Sequence, residues 1–206
     1  MSSPKISIAI PTHDMPNGEF FLNRAIQSIR AQTFTDYEVV VTKEGKMAHN
    51  TNAAIKKSKG ELVKILYMDD YLAHENSLQE IVDHFEGEWL ATGCLHQTTD
   101  GDLYEDPHSP HYPEYTHDIS TGNNRLGSPS VITLRREGVL FFDENLSWLL
   151  DCDLYARYYK HYGLPILLND LNVVIGIGKH QTTHRLPNRI KNWEHEYLNK
   201  KHESSS

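Results

Sequence analysis

Leu62-Val63-Lys64-Ile65-Leu66-Tyr67-Met68-Asp69-Asp70 is the stretch on which the reading of this chain turns. An apolar run of strand length closes on two adjacent carboxylates, and a helix-like stretch follows. In open α/β folds, ligands bind outside the carboxyl ends of the strands. Two aspartates there suit a hard divalent cation such as Mg²⁺ or Mn²⁺, which in turn holds a diphosphate. Asp69 and Asp70 are therefore the first candidate site residues.

Upstream, Lys5 to Ile10 alternates and then runs apolar to Pro11, a buried first strand with a stop. Phe21, Leu22, Ala25, Ile26 and Ile29 recur at helical spacing between Glu19 and Gln32. Tyr37 to Thr42 is a second strand, rich in β-branched residues. Ala48 to Ser58 is a helix with a basic last turn, closed by Gly60, and Leu62 to Met68 is the third strand. Ser77 and Glu80 have capping-box spacing ahead of the stripe Leu78, Ile81, Val82, Phe85. Trp89 to His96 is a fourth strand. This alternation predicts an α/β fold with a mostly parallel sheet covered by helices.

Beyond it the character changes. Thr98 to Asn124 is polar and rich in Pro, His, Tyr and Asp, with no period. A loop that long in a compact domain is usually functional or disordered. Order resumes at Ser130 to Leu134. Trp148 to His161 reads as a helix, Ile166 to Leu168 and Val173 to Ile175 as short strands. Ile190, Trp193, Tyr197 and Leu198 form the stripe of a last helix, ahead of a fraying Ser204-Ser205-Ser206.

Bulk properties narrow the function classes. The 206 residues make one sizeable domain. A net charge of -8 argues against a dedicated nucleic-acid binder, whose affinity needs clustered Lys and Arg. No apolar run approaches the roughly 20 residues of a membrane span. The start runs straight into a strand without a secretory signal, and Cys94 and Cys152 form no CxxC pair. A reducing, cytoplasmic setting is expected. Among the 13 histidines, His108, His111 and His117 lack partners at zinc spacing.

An ordered series of segments then resembles the family 2 glycosyltransferases of the GT-A fold. It begins with Ile6-Ser7-Ile8-Ala9-Ile10-Pro11-Thr12-His13-Asp14, then Ala25 to Phe34 and Asp36 to Val41. Asn52-Ala53-Ala54-Ile55, Lys59-Gly60-Glu61 and Asp69-Asp70-Tyr71-Leu72 continue it. Gly127-Ser128-Pro129-Ser130, Phe142-Asp143-Glu144-Asn145-Leu146 and Leu150-Asp151-Cys152-Asp153-Leu154 complete it, so that it covers residues 5 to 185.

The resemblance implies an inverting, metal-assisted transfer of sugar from a nucleotide-diphosphate donor, a UDP-sugar first among them, to a glycan or other hydroxyl acceptor. It implies a single domain over 1–206: a nucleotide-sugar half to about residue 100, an acceptor and catalytic half from 101 to 185, and a C-terminal helix and tail from 186. Asp151 aligns with the family's catalytic base; on local grounds it could instead serve the first turn of its helix, with Asp153 a structural partner. Pro11, Thr12, Asp14, Lys43, Glu44, Asn52 and Asp69 fall where the nucleotide is bound. Asp69, Asp70 and His180, in Lys179-His180-Gln181-Thr182-Thr183, fall at the Mn²⁺ or Mg²⁺ site, though His180 could equally be a loop histidine. Tyr112, Tyr115 and Trp148 offer rings for stacking on acceptor sugars.

Three positions depart from the pattern. Tyr67 stands where the first Asp of Asp-x-Asp is expected, which leaves open whether Asp69 or Asp70 is the ligand. Lys43-Glu44 replaces the paired aspartates that read the base, and Thr51 replaces an Arg. A non-catalytic nucleotide-sugar or glycan-binding module is the alternative. Tyr67-Met68-Asp69-Asp70 is also the string of reverse transcriptases, but this chain is short, acidic and without their hairpin context. Nucleotidyl transfer would need a Gly-rich phosphate loop after the first strand, and Pro11-Thr12-His13-Asp14 is none.

Overall fold

The computed structural model describes residues 3–98 and 109–203. Residues 99–108 of the expected loop, His108 included, and Ser204 to Ser206 lie outside it. Seven strands form one sheet: β1 (Ile6–Pro11), β2 (Tyr37–Thr42), β3 (Leu62–Ile65), β4 (Tyr71–Leu72), β5 (Trp89–Thr98), β6 (Ile132–Arg135) and β7 (Ile166–Ile177). Their order is β2-β1-β3-β6-β5-β7-β4. β1 pairs in parallel with β2 and β3, β5 in parallel with β7, and β6 and β4 run against their neighbours. Five strands thus point one way, as expected of an α/β domain, and two reversed strands make the sheet mixed.

Six helices flank it: α1 (Gly18–Arg30), α2 (Met47–Lys57), α3 (Ser77–His84), α4 (Leu150–Tyr162), α5 (Thr182–Arg185) and α6 (Asn188–Glu203). α1 buries Phe21, Ala25 and Ile29, one stripe at four-residue spacing. α2, packed on β1 and β2, is buried almost all round its central turns. β1 and β3 are buried along their whole length, as strands covered on both faces must be.

Four local expectations change. The third strand leaves the ladder after Ile65 because Tyr67 N–H donates to the Ser130 hydroxyl (2.8 Å) and Asp70 N–H to the Tyr67 carbonyl (2.9 Å). A tight turn replaces its last residues. Ser77 and Glu80 do not form a capping box: Ser77 is already helical, its hydroxyl accepting the His74 N–H (3.2 Å). The two short late strands are one strand, β7, whose register on β5 shifts around Gly93 to accommodate the polar Asn169-Asp170. Part of the long loop is ordered, with His111 bridging Cys94 and a 3-10 turn at His117–Thr121.

α6 is bound to the rest by charge as well as by Leu198. Lys201 meets Asp143 (2.6 Å) and Asp153 (2.8 Å), and His202 meets Asp153 (3.1 Å). Burial alone would raise the Asp153 carboxyl; His202, Arg157 and Lys201 overcome it and hold it below the usual carboxylate range. A carboxyl depressed in the fold adds stability above its unfolded value, about 3.9, and loses it as pH falls through the folded value. The urea midpoint should therefore drop as pH is lowered below about 4, and the drop should be smaller in Asp153→Asn, which starts from a lower midpoint.

Candidate active site

A cleft of about 470 Å³ opens at the carboxyl ends of β1, β3 and β7. Its lining includes Pro11 and His13 after β1, Asp69 after β3, Gly176 and His180 on and after β7, and Trp148 and Asp151 at the start of α4.

Asp69 and Asp70 both line the cleft but make different contacts. Asp70, 2% exposed, accepts the Gly176 N–H (2.8 Å) and a hydrogen bond from Ser130. Burial, then the neighbouring Asp69, push its carboxyl well above the ordinary range. Asp69 faces the cleft, where its Oδ2 meets His180 Nε2 at 2.8 Å. Arg24 fixes the turn from behind, donating to the Asp69 carbonyl (2.7 Å) and lying over the Tyr71 ring. Among the described residues no three His, Cys, Asp or Glu side chains are arranged as a closed metal site.

Asp151 is held on both oxygens. Asn124 Nδ2 donates to Oδ2 (2.8 Å) and the Cys152 N–H to Oδ1 (2.8 Å). Enclosure by the protein raises its carboxyl despite those bonds. Tyr67 also lines the cleft; burial pushes its phenol far up, and the charges of Asp151, Asp70 and Asp69 add to that shift.

The other expected residues make the following contacts. Thr12 is buried and donates to the Thr42 carbonyl (2.8 Å). Asp14 pairs with Lys43 (2.7 Å) and Glu44 with Lys57, both pairs outside the cleft lining. Asn52 is a buried clamp, donating to the Phe142 carbonyl (2.9 Å) and accepting the Phe142 N–H (2.8 Å). Tyr115 is stacked on Tyr159 (4.7 Å between centroids), and Tyr112 is 53% exposed, so neither lines the cleft. Trp148 does, its indole N–H donating to Thr183 Oγ1 (3.2 Å).

Several residues escaped the sequence reading. Asn124, Gly176 and the cleft residues Lys46 and Arg185 carry no local signal. Lys64 does, as the one charge in the third strand's apolar run. It is fully buried, donates to the Ser130 carbonyl, and desolvation lowers its amine to about 7 although Asp70 and Cys94 oppose the shift.

Solved structures share this architecture. Staphylococcus aureus TarS 1-349 in complex with UDP-GlcNAc superposes with a TM-score of 0.62 at 17% identity, over 89% of this chain and 61% of that one. Its complex with UDP gives 0.60 at 18%, over 85% and 61%. The fold is GT-A-like. The mannosyltransferase PcManGT from Pyrobaculum calidifontis, in complex with GDP-Man and Mn²⁺, gives 0.61 at 14%, over 87% and 59%. The chain thus spans about three fifths of the length of these glycosyltransferase structures. No protein-family model matches the sequence, and no curated protein does.

Gly176 is the sharpest structural constraint on the GT-A-like cleft. A Cβ there would collide with the Asp69 carbonyl. Gly176→Ala should displace the Asp69-Asp70 turn, at a stability cost of about 1–3 kcal/mol read from urea melts.

Proposed function

We propose that the protein transfers a sugar from a nucleoside diphosphate sugar to an acceptor hydroxyl with inversion, Asp151 acting as general base. What carries this reading is the convergence of Asp69, His180 and Asp151, from three separate segments, on one cleft at the carboxyl edge of the sheet. The UDP, UDP-GlcNAc and GDP-Man complexes of the structural neighbours support the donor class, with a UDP-sugar the first to test. Residues to about 100 form the donor half, 101 to 185 the acceptor and catalytic half, and the last helix closes the unit.

In the reaction, the acceptor oxygen bonds to the anomeric carbon as the bond from that carbon to the diphosphate breaks. The electron pair leaves with the diphosphate, and the acceptor proton passes to Asp151. One carboxylate suffices if it sits opposite the leaving group. Asn124 and the Cys152 amide keep Asp151 in one orientation, and its raised pKa makes the ionised form a stronger base. Lys46, His180 and Arg185 line the cleft with groups suited to the charge on the departing diphosphate.

Asp69 and His180 fit a Mg²⁺ or Mn²⁺ ion, since such ions take few protein ligands and complete their shell with substrate phosphates and water. Asp70 is the poorer ligand because Gly176 and Ser130 already occupy its carboxyl. When bound, the ion neutralises charge on the leaving diphosphate.

Thermal-shift measurements with UDP and GDP test the donor half. One of them should raise stability by about 2.7 kcal/mol at a hundredfold excess over its Kd. Mn²⁺ should add to the shift, and Asp69→Ala should remove the addition. No shift with any nucleoside diphosphate would overturn the reading.

Asp151→Asn tests the base. It should keep nucleotide affinity and lower turnover of the donor sugar by about 10²–10⁴-fold. The acid limb of the wild-type kcat profile should lie above the ordinary Asp value of about 3.9, because activity needs Asp151 ionised and burial resists ionisation. Undiminished turnover in Asp151→Asn would assign the base elsewhere.

A further inference from the structure

α4 begins at Leu150, and neither Leu149, which precedes it, nor Trp148 has a side chain able to cap backbone amides. The amides of the segment just ahead of the helix are held by another element. Glu194, on α6 and 1% exposed, accepts the Ser147 N–H on Oε1 (2.9 Å) and the Trp148 and Leu149 N–H groups on Oε2 (2.9 Å each). A carboxylate from a helix more than forty residues later thus grips the lead-in to α4, and its charge favours the positive end of that helix.

The segment it grips carries the acceptor side of the cleft. Trp148 is the middle of the three gripped residues, and Asp151 follows in the first turn of α4. The same face of α6 makes further contacts with this region: His195 meets the Trp148 ring edge-on at 5.2 Å, and Lys201 and His202 hold Asp153. Spacing of Glu194, Leu198, Lys201 and His202 at 0, 4, 7 and 8 places them on one stripe. α6 lies past residue 185, outside the stretch of family resemblance.

We infer that Glu194 is a positioning residue of the transfer site: by gripping the amides of residues 147–149 it sets where Trp148 and Asp151 face the cleft, and the last helix therefore takes part in acceptor activation. This rests on the proposed glycosyl transfer. On the donor side Asp69 and His180 pair with each other, and α6 reaches their segment through Lys191, which donates to the Thr183 carbonyl, and not through Glu194. A carboxylate is specifically required, because an amide in its place would turn a donor towards backbone donors.

The test compares wild type, Glu194→Gln and Glu194→Asp. UDP and GDP binding are measured by calorimetry, turnover by nucleotide release from UDP-GlcNAc and GDP-mannose, and amide hydrogen exchange at residues 147–149. Glu194→Gln should leave nucleotide Kd and donor KM unchanged, speed exchange at those amides by about tenfold or more, and lower kcat at least tenfold. Glu194→Asp, which keeps the charge on a shorter stem, should recover part of both losses. Unchanged kcat in Glu194→Gln overturns the inference, as does a fall in kcat matched by an equal loss of nucleotide binding. Should Glu194→Gln fail to fold, Glu194→Asp decides: faster exchange with lower kcat at unchanged Kd supports the inference, and unaltered exchange overturns it. A wild type that binds no nucleoside diphosphate and turns over no nucleoside diphosphate sugar refutes glycosyl transfer itself, and the inference with it, whereas turnover that is indifferent to residue 194 refutes only the latter.

Discussion

The fold's chemistry depends on a pair of hydrogen bonds to one buried carboxyl. Asp70 takes the Gly176 amide and the Ser130 hydroxyl, so the end of β3, the end of β7 and the approach to β6 meet at a single group. With the Asp70 carboxyl tied to those two partners, Asp69 beside it is the one that meets His180. A solvated pair of acidic residues would have no such polarity. Gly176, bare of a side chain, is what lets the two backbones come together there.

This arrangement explains why the sequence was informative at some positions and silent at others. Periodicity located β1, α1, β2 and α2 because each buries one face or both, and burial dictates composition. The end of β3 was misplaced because Ser130, some sixty residues away, supplies the acceptor that ends the ladder, and no local pattern records a partner that distant. β7 read as two strands because the bulge opposite Gly93 admits polar residues that look like a break.

The candidate site follows the same logic. Asp69, Asp151, His180 and Trp148 line one cleft; the resemblance singles out the first three, and Trp148 is expected there for its ring. Asn52 belongs to that series and clamps the Phe142 backbone, and the Tyr115 ring, expected to face an acceptor, stacks on Tyr159. Type and position alone do not separate a residue that touches ligand from one that holds the wall behind it. Lys64 could have been flagged, since a charge inside a covered strand must find compensation.

The position of β7 carries a consequence for how the chain acquires its shape. Among the described residues β4 pairs with β7 alone, and β7 also covers the side of β5 away from β6. During synthesis, a nascent polypeptide short of residue 177 has neither the amide that anchors Asp70 nor the strand that seals the β5 edge. Long-range pairing of this kind is slow to close and leaves an unsatisfied edge meanwhile. The Asp69-Asp70 turn thus gains its anchor only once β7 has paired, and until then the β5 margin is an open edge.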